Sequence, residues 1–367
     1  MMLFKLVRSM DRDSFIPIII SLKNGGSLRK KFDTLDIQIY SLGFTKGVSS
    51  LLALIRLFKV IKDLKPQIIQ GWMYHGNIVA TIAWYINKKS SVLVWNIRQS
   101  LYEYRNENRL TRLVIKVNRF FSSFPDTIIY NSTLSCKHHS VFGFKSSNSM
   151  IIPNGFDLQE FCYSDKEHKD IRSKLNIPQK AIVVGHVARL HPMKDHPLFL
   201  RAAAEIAKSF LNIHILLIGQ GISLKNKGLS SLIPMEIYNR FHLLNEQDNV
   251  SELMCAMDIF CQSSWAEAFP NVLGEAMSSG VPCVATDVGD SKIIVGDTGV
   301  MVPSRNEKAL FNGIEKLLMM PNSQRKALGE KARDRIKLNY ELNVIIDKYI
   351  ELYGKLINNK KKYLCVE

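Results

Sequence analysis

Apolar residues along this chain fall into short β-rich runs, separated by longer stretches in which they recur at helical spacing. Residues 15–20 and 37–40 are two such runs, with the polar K-N-G-G-S at Lys23 between them. Residues 51–64 carry a helical pattern that Pro66 stops, and the strand-like I-I-Q-G-W begins at Ile68. The pattern then predicts a helix over 77–86, a strand over 92–95, a helix over 108–121 and a strand over 127–130. Strands alternating with helical segments imply βαβ units and a parallel sheet. The active face is then expected beyond the carboxyl ends of the strands.

The second half repeats this rhythm. Residues 181–184 read as a buried strand followed by G-H-V-A-R-L, and a helix runs over about 196–210. Residues 213–218 form a strand ending in G-Q-G, residues 259–261 another, and V-P-C-V-A at Val281 a fourth, with a helix over 271–279 joining the last two. Between the halves, S-M-I-I-P-N-G-F-D at Ser149 reads as a strand ending in an Asn-Gly turn, and the polar residues 164–172 as a linker. The predicted organisation is a Rossmann-like domain over 1–165, a second over 166–345, and a C-terminal helix and basic tail over 346–367 that returns to the first domain. A doubly wound domain normally opens with a hydrophobic strand and a glycine loop. Residues 1–10 read instead as the helix that follows such a strand, which leaves a central sheet position empty.

At 367 residues, the chain exceeds the size at which one core keeps growing, which favours two α/β domains. Its 49 lysines and arginines against 33 acids give a formal charge of +16, which favours polyanionic partners. No nucleic-acid motif accompanies the charge, so phosphorylated small molecules or anionic lipid headgroups are the expected ones. Cysteines 136, 162, 255, 261, 283 and 365 form no C-x-x-C pair and no metal-ligand ladder. Cys261 and Cys283 lie in apolar runs, where a reduced thiol behaves as a small hydrophobe, so a reducing cytoplasm is expected. The longest near-apolar stretches are too short to span a bilayer, so membrane contact is expected to be peripheral, on the inner face of the cytoplasmic membrane.

The stretch from Ser264 to Ala285, S-W-A-E-A-F-P-N-V-L-G-E-A-M-S-S-G-V-P-C-V-A, carries the most chemistry. Pro270 fits a first helical position, so the backbone N–H groups of Asn271, Val272 and Leu273 are expected to face a phosphate. Glu275 lies four residues beyond Asn271 on the same helix face, and Glu267 lies in the loop before the helix. Two carboxylates beside a diphosphate repel it, unless they accept hydrogen bonds from neutral sugar and ribose hydroxyls; alternatively both are solvated acids of the helix region. Arg189 and Lys194, in V-A-R-L-H-P-M-K-D-H after the first strand of this half, favour the former. They would stabilise charge accumulating on a leaving nucleoside diphosphate. No D-x-D clusters with other acids, so neither a divalent metal nor a cofactor is demanded.

The segments R-L-H-P-M-K from Arg189 and D-I-F-C-Q-S-S-W-A-E-A-F-P-N-V-L-G-E-A-M-S-S-G-V-P-C-V-A-T-D-V-G from Asp258 resemble the retaining family 4 glycosyltransferases of the GT-B fold. More loosely they resemble the enzymes of bacterial lipopolysaccharide and capsule synthesis. Glu267 and Glu275, with seven residues between them, look like that family's paired-glutamate motif. The resemblance implies two Rossmann-like domains facing across a cleft, with Arg189 and Lys194 on the donor diphosphate, Glu275 on the ribose and Glu267 on the transferred sugar. The family commonly has Gly after the first glutamate, where this chain has Ala268, a costly change only if that position needs positive φ. In the first half, G-W-M-Y-H-G-N at Gly71 and W-N-I-R-Q-S at Trp95 look like cleft-facing strand ends, which makes His75 and Arg98 donor-side candidates. The family's opening strand and glycine-rich loop have no counterpart here.

The implied reaction moves a hexosyl or N-acetylhexosaminyl unit from a nucleoside-diphosphate sugar, a UDP-sugar foremost, to a saccharide on a lipid-linked acceptor. Positioning and charge stabilisation would carry the catalysis, without an enzyme nucleophile, and domain closure would bring His75 toward Arg189 and Glu267. The stretch R-L-T-R-L-V-I-K-V-N-R-F-F from Arg109 reads either as a helix lying on an anionic membrane or as a sheet-covering helix with a basic outer face. N-N-K-K-K at Asn358 reads as a solvated tail. A nucleotide-sugar epimerase of related architecture and an inactive scaffold in polysaccharide assembly are the alternative functions.

Overall fold

The computed structural model describes residues 2–26, 29–44, 49–102, 104–145 and 147–364, and Cys365 lies outside them. The chain divides into two compact units, residues 1–155 with 343–367, and residues 156–342.

The first unit opens with helix α1 (Met2–Ser9), strand β1 (Ile19–Ser21), helix α2 (Arg29–Phe32) and strand β2 (Ile39–Ser41). It continues with α3 (Ser49–Leu64), β3 (Ile68–Trp72), α4 (Met73–Ile86), β4 (Val92–Ile97), α5 (Arg109–Phe121), β5 (Thr127–Tyr130), α6 (Thr133–Phe142) and β6 (Ser149–Ile151). All pairings are parallel, but they form two pieces, β1–β2 and β3–β4–β5–β6. Among the described residues no strand pairs with the second edge of β1 or of β3. The run at 15–20 gives a strand only from Ile19, because Pro17 cannot donate to a ladder. The core of this unit joins Leu57 and Ile61 of α3 with Ala83 and Trp84 of α4, Leu93 and Trp95 of β4, and Ile115 of α5.

The second unit holds α7 (Asp165–Lys174), β7 (Ile182–Val187), α8 (His196–Ser209), β8 (Ile213–Ile218), α9 (Lys227–Ser230), β9 (Phe241–Leu244), α10 (Val250–Cys255) and β10 (Ile259–Gln262). It ends with α11 (Asn271–Ser278), β11 (Cys283–Thr286), α12 (Ser291–Val295), β12 (Gly299–Val302), α13 (Glu307–Leu318) and α14 (Asn322–Tyr340). Its six parallel strands run in the order β12-β11-β10-β7-β8-β9, with the first strand at the centre. Successive residues of these strands enter opposite cores: Val183, Phe260 and Cys283 pack into one, and Val184, Cys261 and Val284 into the other. Burial on both faces is why the strands read as unbroken apolar runs. Burial also pushes the Cys261 and Cys283 thiols far up, which keeps them protonated packing groups.

Residues 164–172, polar enough to read as a linker, form α7 instead. Ser164 caps this helix by accepting from Glu167 N at 3.3 Å, and Ile171 and Arg172 turn inward. Arg172 is 1% exposed, and its donors are all engaged. Nη2 meets Asp258 Oδ2 at 2.6 Å and Ala256 O at 3.0 Å; Nε donates to Ala256 O at 3.2 Å; Nη1 donates to Gln179 O at 3.1 Å and Ala181 O at 2.7 Å. Asp258 Oδ2 also accepts Val183 N at 2.7 Å. The cluster therefore fastens the amino ends of β7 and β10 to each other and to α7.

Helix α15 (Leu342–Leu364) returns to the first unit. There Tyr349 OH accepts from Asn96 Nδ2 at 3.0 Å, Tyr353 bonds Gln70, and Lys360 lies 5.7 Å from the Trp84 ring centre. The N-N-K-K-K segment is thus helical, with Asn358, Asn359 and Lys361 exposed and Lys360 half-buried. Among the described residues no helix is long and apolar enough to cross a membrane.

Arg172→Met should cost about 3–5 kcal/mol, since Asp258 and the facing carbonyls would stay buried without their partner. Urea unfolding followed by circular dichroism measures it; a loss below about 1 kcal/mol would contradict the clamp.

Candidate active site

Lys194 and Glu267 project from loops at the carboxyl ends of the neighbouring strands β7 and β10. Lys194 ends a tight turn, Pro192–Lys194, started by His191, whose Nδ1 accepts from Met193 N at 3.3 Å. Asp195 stops the turn in a left-handed conformation (φ 49°), which Asp tolerates, and its carboxylate accepts Leu198 N at 3.3 Å to start α8. On the other strand, Glu267 precedes α11 in the loop that leaves β10.

The two loops are joined by hydrogen bonds. Ser263 Oγ donates to Lys194 O at 2.8 Å, Trp265 N donates to Met193 O at 2.9 Å, and Trp265 Nε1 donates to Pro192 O at 2.9 Å. At their meeting point Lys194 Nζ lies 2.5 Å from Glu267 Oε1, with the side chains 23% and 11% exposed. The same oxygen accepts Ser264 Oγ at 2.7 Å and, at the outer limit, Gln262 Nε2 at 3.5 Å. Ser291 Oγ in turn donates to Gln262 Oε1 at 3.2 Å. Glu267 is therefore an oriented carboxylate with its charge matched by the lysine.

A third loop, after β11, closes on the same segment. Asp290 N donates to Ala268 O at 3.0 Å, and Gly289 sits at φ 58° where a Cβ would lie 2.5 Å from Glu267 O. Ala268 is not among the residues with positive φ, so alanine in place of the family's glycine is a mild change. Gly274 answers a different constraint: a Cβ there would lie 2.1 Å from the Phe156 ring, so only glycine lets α11 rest on it.

The start of α11 differs from expectation. Pro270 is the N-cap and not the first helical residue. Leu273 is fully buried and its N–H already donates to Pro270 O at 3.2 Å, so it is withdrawn from the amides expected to face a phosphate. Asn271 is exposed, while Val272 and Glu275 are half-buried. Arg189 is exposed at the carboxyl end of β7, in the loop where Leu190 N donates to Gln220 O of the G-Q-G turn at 2.7 Å.

In the first unit, His75 is exposed on the first turn of α4, which starts at Met73, earlier than its apolar pattern suggested. Arg98, expected to bind a donor, is half-buried and bonded within its own unit. Nη1 donates to Asn96 Oδ1 and Tyr349 OH, both at 3.0 Å; Nε donates to Asn154 Oδ1 at 3.1 Å; and the guanidinium lies 5.4 Å from the Trp72 ring centre. Two of these contacts escaped the sequence because Asn154 and Tyr349 lie 56 and 251 residues away. The sequence reading also missed Gln262, Ser263, Ser264 and Trp265; the polar C-Q-S-S-W directly after an apolar strand was the available signal.

Beneath the Arg189–Lys194 loop lie two buried histidines. His186 Nδ1–H donates to Cys261 O at 2.9 Å, and His196 Nε2–H donates to Ala188 O at 3.3 Å, with the rings edge to face at 4.9 Å. Burial lowers His186 to about 3 and His196 to about 4. Both stay neutral when folded, and take up protons on unfolding once the pH falls below the ordinary value of about 6.5.

Comparison with known proteins agrees with this architecture. Residues 2–160 match the family model "Glycosyltransferase Family 4" and residues 181–320 the model "Glycosyl transferases group 1". The structure superposes on HepE of Anabaena in complex with UDP with a TM-score of 0.81, at 21% identity, over 96% of this chain and 95% of that one, which fixes the fold. The two Rossmann-like units thus define a GT-B glycosyltransferase fold. The chain belongs to family 4 of the GT-B glycosyltransferases. It is 28% identical over 181 residues to EpsF of Bacillus subtilis strain 168, covering 47% of this chain and 47% of that protein. Over the first relatives matched, the chain spans about half of their length. It is 22% identical over 323 residues to the UDP-Gal:alpha-D-GlcNAc-diphosphoundecaprenol alpha-1,3-galactosyltransferase of Escherichia coli, covering 85% of this chain and 81% of that enzyme.

Because the folded histidine values are depressed, stability is whole above about pH 6.5 and declines as the pH falls toward 4, by about 1.4 kcal/mol per pH unit for each histidine. Urea midpoints measured between pH 7 and pH 4.5 should show that slope, and His196→Gln should remove one histidine's share of it. A midpoint independent of pH in the wild-type chain would contradict buried neutral histidines.

Proposed function

We propose that the protein transfers a hexosyl or N-acetylhexosaminyl unit, with retention of configuration, from a nucleoside-diphosphate sugar to a saccharide carried on a lipid. The observation that carries this reading is the Lys194–Glu267 pair at the carboxyl ends of adjacent central strands, 2.5 Å apart and braced by both loops. A cation matched to a carboxylate in this way can exchange it for the donor's diphosphate. That exchange leaves the carboxylate to accept from a sugar hydroxyl. Lys194 and the exposed Arg189 then oppose the charge that grows on the leaving diphosphate, where fixed cations contribute most. The amide of Val272 adds to that anion-facing set, and Glu275 accepts from the ribose hydroxyls. His75 is the first unit's candidate for the transferred sugar.

A UDP-sugar is the preferred donor: HepE is solved with UDP and with UDP-glucose, and the Escherichia coli relative is named for a UDP-Gal donor and a diphosphoundecaprenol-linked acceptor. A lipid-borne acceptor places the protein peripherally at a membrane surface.

Extracted lipid-linked acceptors incubated with a panel of nucleotide sugars and read by mass spectrometry test the reading, with the anomeric configuration taken from the product's NMR couplings. Arg189→Ala and Glu275→Ala should each lower transfer at least about a hundredfold, with unfolding midpoints unchanged. Unchanged rates would contradict the assigned roles. Donor turnover without acceptor would favour epimerisation.

A further inference from the structure

Helix α3 is apolar on both of its sides. Ala53, Leu57 and Ile61 enter the core, yet on the opposite side Leu51 is 62%, Ile55 58% and Phe58 52% exposed. A helix apolar all round is normally buried; one that ends at water has a surface still to cover. Helix α5 shows the same arrangement. Val114, Ile115 and Asn118 face inward, while Leu113 and Phe120 are 57% and 78% exposed on the outer side.

The two outer sides face the same way. The connections β3–α4–β4 and β4–α5–β5 advance across one sheet in one direction, so right-handed crossovers place α4 and α5 on one face, and α3 and α5 each pack against α4. Between and around the apolar side chains stand cations. Lys62 lies 5.6 Å from the Phe58 ring centre, Lys89 4.9 Å from that of the half-exposed Tyr85, and Arg109 and Lys116 share the outer side of α5 with Leu113 and Phe120. Across α3, α4 and α5 the only acid is Asp63.

Large apolar side chains ringed by long cationic ones match an anionic bilayer: the apolar groups enter the acyl boundary while the ammonium and guanidinium groups remain among the headgroups. A second copy of the same cationic face would meet like charge. We infer that the outer sides of α3 and α5 together form the surface by which this protein lies on an anionic lipid bilayer. The inference rests on the proposed lipid-linked acceptor, and adds which face meets the membrane.

Flotation of the full chain with phosphatidylcholine vesicles, and with vesicles of phosphatidylcholine and phosphatidylglycerol in equal parts, tests it. The protein should float with the anionic vesicles only, and raised salt should release it. The pair Ile55→Ser and Phe58→Ser, and separately Leu113→Ser and Phe120→Ser, should each weaken partition at least about tenfold while circular dichroism and UDP binding by calorimetry stay unchanged. Flotation that ignores lipid charge, or that both pairs leave intact, would overturn the inference. So would a stable dimer in light scattering that either pair dissociates, which would mark the face as an interface between copies. Loss of UDP binding in the wild-type chain would sink the donor reading instead, whatever the vesicles show.

Discussion

The candidate site depends on β7 and β10 being neighbours in a fixed register, and Arg172 is what fixes them. Its guanidinium reaches Ala181 at the start of β7, Ala256 before β10 and the Asp258 carboxylate, which itself holds Val183 N. A buried arginine costs several kcal/mol to desolvate and persists only where every donor is met, as here. Clamped at their amino ends, the strands pair Ile259 with Val184. Their carboxyl ends then deliver Lys194 and Glu267 to one point, where the Ser263 and Trp265 hydrogen bonds finish the alignment. Support at one end of the sheet thus creates precision at the other.

At that point the electrostatics fit the proposed anionic donor. Glu267 alone would repel a diphosphate; beside Lys194 the pair is close to neutral, and the exposed Arg189 keeps the loop cationic. The buried, neutral histidines beneath the loop add no charge of their own near neutral pH. Charge in this region is therefore concentrated on side chains that a ligand can reach.

Much of this was legible in the sequence. The central strands of the second unit are continuous apolar runs because both faces are buried, and that signal is strong. Arg189 and Lys194 stood out in the loop after such a run, and Glu267 and Glu275 by their places before and within the helix that follows another. Less legible were β9 and β12, which have one partner strand each and carry half-buried residues. Helix α7 was hidden because its burial rests on Ile171 and on an arginine whose partners are carbonyls remote in sequence. The contacts of Arg98 were hidden for the same reason: a strand-end arginine looks alike whether or not Asn154 is its partner. The outward apolar side of α3 could not be told from core, since periodicity marks faces but not what covers them.

The most direct test of the central claim is UDP affinity measured by calorimetry on the wild-type chain, Lys194→Met and Glu267→Gln, with transfer to the lipid-linked acceptor followed in parallel. If Lys194 exchanges its carboxylate partner for the donor's diphosphate, Lys194→Met should lose at least about tenfold in affinity. Glu267→Gln should bind UDP as tightly as wild type or more tightly, yet transfer far more slowly, because only sugar contact is lost. Equal losses of UDP affinity in both variants would contradict the account and would mark the pair as a structural bridge.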